Sequence, residues 1–162
     1  MAIVQFKKGD EYIAKIEKMA RDSREKILGP AIYAAADIVT DAVREKLSGV
    51  PTDERWAPYG TVKAGPRKAE LIGLQNSLGI ASLQDDSGFI NVKVGFDGYN
   101  GIKSATWPIG QPNQMIARST ERGTYFMQAN PFMKRAMASA RTKALEVMKK
   151  KIDENLEKEM KG

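Results

Sequence analysis

Hydrophobic positions recur at spacings of three and four in two long stretches of this 162-residue chain. In the first, Asp10 caps a helix that runs to about Leu28, with Tyr12, Ile13, Ile16, Met19 and Ala20 near one face. Gly29-Pro30 breaks or kinks it. A second helix then carries Ala35, Ile38, Val39, Ala42, Val43 and Leu47 at helical spacing, and Ser48-Gly49 and Pro51 close it. The other long stretch runs from about Pro131 to Glu159, with a stripe of Met133, Met137, Ala140, Ala144, Met148, Ile152 and Leu156. Residues 2–6 read as a short strand.

The middle of the chain has a different pattern. Ile90, Val92, Val94 and Phe96 alternate with Asn91, Lys93 and Gly95, which is the period of a half-buried strand. Asp85-Asp86-Ser87-Gly88 supplies a turn before it, so a β-hairpin over about 76–96 is expected. Two irregular segments flank the hairpin. The arm 49–69 holds Gly49, Pro51, Pro58, Gly60, Gly65 and Pro66, with room for a small hairpin around 61–64. The loop 97–112 is similarly rich in Gly and Pro. A short helix over Asn113–Arg122 follows, with Gly123 as its stop. Asn130 is suited to cap the last helix, and Pro131 to sit in its first turn. No βαβ alternation occurs. The fold class is therefore α+β: one domain over 1–162, a small antiparallel sheet against N-terminal helices and a long C-terminal helix, and two extended loops.

Charge sharpens this picture at one end. The net charge of +6 divides as +1 over 1–50, +1 over 51–129 and +4 over 130–162. The excess lies in Lys134, Arg135, Arg141, Lys143 and Lys149-Lys150-Lys151. Such a face can be simply solvated, or it can meet nucleic acid or an acidic protein.

Aromatics and cations share the two irregular segments. Arg55, Trp56, Tyr59, Lys63 and Arg67 lie in the arm, and Tyr99 and Trp107 in the loop. These seven are the candidate interface residues. Aromatics among cations can stack bases, but Trp, Tyr and Arg also anchor protein interfaces, the reading favoured for this chain.

The candidate chemistry is sparse. Histidine and cysteine are absent, which removes the commonest general base, thiolate nucleophiles and the commonest soft-metal ligands. There is no phosphate-binding Gly-x-x-x-x-Gly-Lys-Ser/Thr run and no Gly-x-Ser-x-Gly elbow. The DGYNG stretch at 97–101 lacks the spacing and distal Glu of a calcium loop. The pairs Asp53-Glu54 and Asp85-Asp86 read as solvated turn residues, and Glu121 as a structural hydrogen-bonding or ion-pairing group. No catalytic residue, metal or cofactor is expected. The start of the chain is unlike a signal peptide, and no apolar run is long enough to span a membrane.

The order of motifs resembles the head–tail joining, or tail-completion, family of long-tailed bacteriophages. An opening helix at Gly9-Asp10-Glu11-Tyr12 precedes an alanine-rich helix. A Leu-x-x-Ser element follows at Leu74 to Ser77, then Val92-Lys93-Val94-Gly95. Next come an Ile-Ala…Glu-x-Gly-Thr segment, with Ile116, Glu121, Gly123 and Thr124, and Asn130-Pro131-Phe132 opening the last helix. Two departures accompany the match. Pro66-Arg67-Lys68-Ala69-Glu70 stands where the family has Pro-x-x-Thr-Gly, and the loop at 97–112 is enlarged.

The resemblance implies a structural virion protein without enzymatic activity. It would form a hexameric ring at the neck, between a head connector or stopper protein and a tail terminator or tail-tube protein. It would be assembled in the bacterial cytoplasm, with non-specific DNA contact possible in the channel. The alternative from the residues alone is a basic nucleic-acid-binding module.

Overall fold

The computed structural model describes residues 9–56, 58 and 60–161, with side-chain detail from Glu17 onward, Met19 excepted. The expected strand at 2–6, the side chains of Tyr12, Ile13, Ile16 and Met19, and all of Tyr59 lie outside the described residues. The architecture is α+β, with four helices and short antiparallel strand pairs among the described residues.

α1 spans Gly9–Ser48 as one helix, with Pro30 inside it. The expected break is therefore not realised. Pro30 cannot donate the bond that the Lys26 carbonyl would receive, yet the helix continues, held by α4 on both sides of this point, at Ile27 through Asn155 and at Val43 and Leu47 through a shared core. Asp10 lies within the first turn, one residue inside the helix start. Ala20, placed on the apolar face by its spacing, is exposed.

α4 spans Phe132–Lys161 and lies antiparallel along α1. Asn155 Nδ2 donates to the Ile27 carbonyl at 3.0 Å near one end, and Phe132 and Ala136 share a core with Val43 and Leu47 at the other. At ~1.5 Å rise per residue, the 30 residues of α4 give a rod of about 45 Å. Its buried stripe is Phe132, Ala136, Ala140 and Ala144, a run of fours. Met137 is half exposed, one step off the face that the sequence pattern assigns to it. The small alanines bring the two helices close, so the neighbouring methionine stays outside the contact.

In the stretch of chain that separates α1 from α4, α2 (Lys68–Ser77) leads into a hairpin of β1 (Leu78–Ile80), β2 (Gln84–Asp86), β3 (Phe89–Asn91) and β4 (Val94–Phe96). β1 pairs with β4 and β2 with β3, both antiparallel. Ser87 and Gly88 turn the tip with φ of 56° and 94°, as a tight two-residue hairpin turn requires. From the Ile80↔Val94 pair to the Gln84↔Asn91 pair the outgoing strand takes one more residue than the return. The hairpin is thus bulged at 81–83, and the bulge separates it into two ladders. Leu83 of the bulge rests over Gly29, and its N–H donates to the Tyr33 hydroxyl at 2.8 Å. The Gly-Pro point in α1 is therefore where the hairpin docks.

α2 begins ahead of the expected hairpin range, and Gly73 interrupts its short apolar run, so periodicity does not mark this helix. Leu74 is fully buried, and Ser77 Oγ donates back to the Leu74 carbonyl at 3.2 Å at the helix end. α3 spans Asn113–Arg122, as expected. The central core gathers Val43, Leu47, Leu71, Leu74, Ile116, Ala117, Phe132 and Ala136. Phe96 meets Phe132 edge to face at a centroid distance of 5.9 Å. The expected small hairpin at 61–64 does not form. Lys63 instead makes a parallel bridge to Met127. No described helix is long and apolar enough to cross a membrane.

Candidate functional site

The motif residues 116–132 build a joint between α3 and α4. Gly123 ends α3 with φ 75°, and its N–H donates to the Ser119 carbonyl at 2.8 Å. A Cβ at this position would lie 2.8 Å from the Ala129 nitrogen, so both the conformation and the space require glycine. Thr124 and Met127 exchange backbone hydrogen bonds across the following turn, and Thr124 Oγ1 accepts from the Phe126 N–H. The chain then returns, and the Asn130 N–H donates to the carbonyl of the buried Thr120 at 2.8 Å.

Glu121 completes the joint. Its two carboxylate oxygens accept from the N–H groups of Met133 and Lys134, at 2.8 and 3.0 Å. The last residues of α3 thus cap the first turn of α4, where free N–H groups and the helix dipole favour a carboxylate. This corrects the assignment of the cap to Asn130. Pro131 stands just ahead of the helix, and its carbonyl accepts from the Arg135 N–H. Asn130 Nδ2 donates instead to the Ala64 carbonyl at 2.9 Å, which ties the joint to the arm.

The described part of the arm is accordingly a structured loop. Lys63 N–H donates to the Phe126 carbonyl and Gln128 N–H to the Lys63 carbonyl, each at 2.8 Å. At its base, the buried Asp53 accepts from the Arg55 N–H, from the Arg55 guanidinium at 2.9 and 2.7 Å, and from the Ala64 N–H. The guanidinium, then the Ala64 N–H, hold its carboxyl well below the usual carboxylate range. Gly65 sits so close to Pro51 that an added Cβ would fall 1.9 Å from the Pro51 oxygen.

The loop 97–112 closes on itself. The buried Asn100 uses its Oδ1 to accept from the Ile102 and Gln111 N–H groups, at 3.1 and 3.0 Å. Asn113 Nδ2 donates to the Asp97 carbonyl across the base. Ser104 and Trp107 exchange backbone hydrogen bonds at the far end.

The seven candidate interface residues therefore separate. Trp56 is 80% exposed, and Tyr99, Arg55 and Arg67 are also exposed. Trp107 is half-buried in its own loop, and Lys63 is buried. Tyr59 lies outside the described residues. Arg55 is committed to Asp53, so it orders the arm.

Lys63 and Arg67 do share one concavity of about 380 Å³, with Pro66, Glu70, Gln111, Met115, Ile116, Ser119, Phe126 and Met127. Its mouth carries exposed apolar side chains, with Phe126 53% and Met115 36% exposed. Val62 and Tyr125, next to the bridged residues, are exposed as well. Sequence spacing alone does not mark this rim. The one signal is the adjacent pair Tyr125-Phe126 in a connector too short to bury both.

Among the described residues, no group of three or more His, Cys, Asp or Glu side chains is arranged to hold a metal ion. Glu121 and Asp53 are engaged with backbone and guanidinium donors. What this arrangement offers is rigid attachment of the arm to the α3–α4 joint, with apolar surface left at the rim. Compared with protein-family models, curated proteins and solved structures, the chain gives no match in any of the three.

Proposed function

We propose that this chain is a structural virion protein that completes the tail end and joins the phage tail to the DNA-filled head, as a ring of copies at the neck. The observation that carries the reading is the Glu121 cap. The two motif segments on which the resemblance rests, Glu-x-Gly-Thr and Asn-Pro-Phe, meet through Glu121 and the first turn of α4. These residues hold backbone together, and they leave apolar and aromatic side chains exposed along the same edge. That is the pattern of a part whose work is surface fit.

Ring partners would be further copies of the chain, with the head connector or stopper above and the tail terminator or tail tube below. Lys134, Arg135, Arg141, Lys143, Lys149 and Lys150 are exposed along α4, which favours weak, sequence-independent contact with DNA in a channel. The same cations support the second reading, a nucleic-acid-binding module. Duplex binding by the purified chain, falling steeply as salt rises, would favour that reading. The test of the neck reading is electron microscopy of particles assembled without the protein. Full heads and separate tails are expected, and normally joined virions would contradict it.

A further inference from the structure

A closed ring needs one surface of each copy to fit a different surface of the next. Resting on the assembly reading above, we propose that the hairpin tip of one copy docks in the Lys63 concavity of its neighbour. The contact would join an acidic–aromatic knob to a cationic socket with apolar walls.

The socket holds two cations against one carboxylate. Lys63 is only 8% exposed as a whole residue, and its ammonium is not among the buried atoms left without a partner. Arg67 adds a second cation to the lining. Glu70 lies in the same lining, with its Oε2 accepting from the Arg67 N–H at 2.8 Å. A carboxylate brought beside these cations in a closed contact gains Coulomb attraction that water screens less strongly than at an open surface. The remaining wall is apolar, from Met115, Ile116, Phe126 and Met127. The socket therefore selects a carboxylate next to a large apolar group.

The hairpin tip presents that pair. Asp86 and Phe89 are directly opposite each other in the β2–β3 ladder, so their side chains stand on one face of the hairpin. Asp85 and Ile90 belong to the other face, and Asp85 lies with Arg21 and Arg24 of α1. Phe89 is 79% exposed, and Asp86 is exposed beside it. One oxygen of Asp86 accepts from Asn91 Nδ2 at 3.0 Å, which steadies the carboxylate and leaves it able to accept from an outside cation. Phe89 shares the register of the polar positions Asn91 and Lys93, so nothing in this fold calls for an aromatic there. An aromatic anchor entering a pocket beside a matched charge pair is the usual form of an interface hot spot.

Charge exchange on the full chain tests the contact, with sedimentation velocity reading the assembled fraction. Asp86→Lys alone and Lys63→Glu alone should each weaken assembly by at least about tenfold. Their equimolar mixture, and the double variant, should recover it, since every tip then meets a socket of opposite sign. Recovery in the mixture also shows that Lys63→Glu is folded. Phe89→Ser, on an exposed tip, should weaken assembly with an unchanged melting curve.

A wild-type chain that stays monomeric, single variants that assemble like wild type, or no recovery in the mixture and the double variant would each overturn the proposal. Assembly that stops at two copies with this same charge dependence would uphold the contact and count against the ring. Rings indifferent to all these changes would overturn the contact and leave the neck reading standing.

Discussion

The arm and the loop 97–112 have nearly the same composition, yet they are held in different ways. Both are irregular and rich in Gly, Pro and aromatic residues. The arm is fastened to residues more than sixty positions away, through Lys63 with Phe126 and Gln128 and through Ala64 with Asn130. The loop is fastened mainly to its own base, through Asn100 with Gln111 and Asn113 with Asp97. Composition therefore marks where regular structure stops. It does not tell whether the segment is a strap across the fold or a closed lobe on it. The strap couples the socket rim to the α3–α4 joint, whereas the lobe can change with little effect elsewhere.

The largest expected effect removes the floor on which the α3–α4 joint stands. Phe132→Ala empties a fully buried site against Phe96, and should cost roughly 3–5 kcal/mol. A thermal melt that barely moves would show that α4 is anchored elsewhere.

Two glycine substitutions then separate strap from lobe. Gly65→Ala places a Cβ 1.9 Å from the Pro51 oxygen, and Gly110→Ala places one 1.9 Å from the Asn100 oxygen at φ 97°. Each should cost roughly 1–3 kcal/mol from overpacking. Their reach should differ. In hydrogen exchange, Gly65→Ala should loosen amides at both 53–64 and 126–130, while Gly110→Ala should loosen only those around 98–113. Equal spread from both variants would erase the distinction.

Glu121→Ala should come next, at roughly 1–2 kcal/mol for a lost helix cap. Asn130→Ala, by contrast, should loosen the arm more than the start of α4. Exchange rates at Met133 and Lys134 decide between them, and the reverse order would restore Asn130 as the cap.

Acid should also act on the strap first. Asp53 is held below its ordinary carboxylate value of about 3.9 by the Arg55 guanidinium and the Ala64 N–H. Its contribution to stability is present above that value and is lost as the pH falls through the lower folded-state value. Asp53→Asn should flatten the acid side of the melting-temperature curve. An unchanged slope would place the acid-sensitive group elsewhere.

The smallest effects on folding fall at the outer aromatics. Trp56→Ala should change stability by less than about 0.5 kcal/mol while weakening assembly. Trp107→Ala should likewise spare folding, with a somewhat larger shift because its side chain is half-buried. A much earlier melt of the monomer would move either residue from interface to core.

Local signals were enough for much of this fold. Gly123, the Asp85–Gly88 turn and the span of α3 follow from turn chemistry and periodicity, and all three are observed. The continuity of α1 is not readable at Pro30, because packing on α4 and the hairpin outweighs a local breaker. Lys63 looks like an arm cation, and only its bridge to Met127, far along the chain, buries it. Glu121 and Asn130 appear with their roles exchanged because a cap can come from the preceding helix as well as from the neighbouring residue. The site is harder to read than the fold for the same reason. Its socket is assembled from the arm, α2, α3 and the joint, and no single stretch of sequence holds it.

The most direct measurement of the neck reading is reconstitution. Heads and tails from particles made without this chain are mixed, purified protein is added, and joined infectious virions are counted. Joining is expected to depend on the added chain and to saturate with it. Heads and tails that join equally well in its absence, or that never join when it is supplied, would contradict the account.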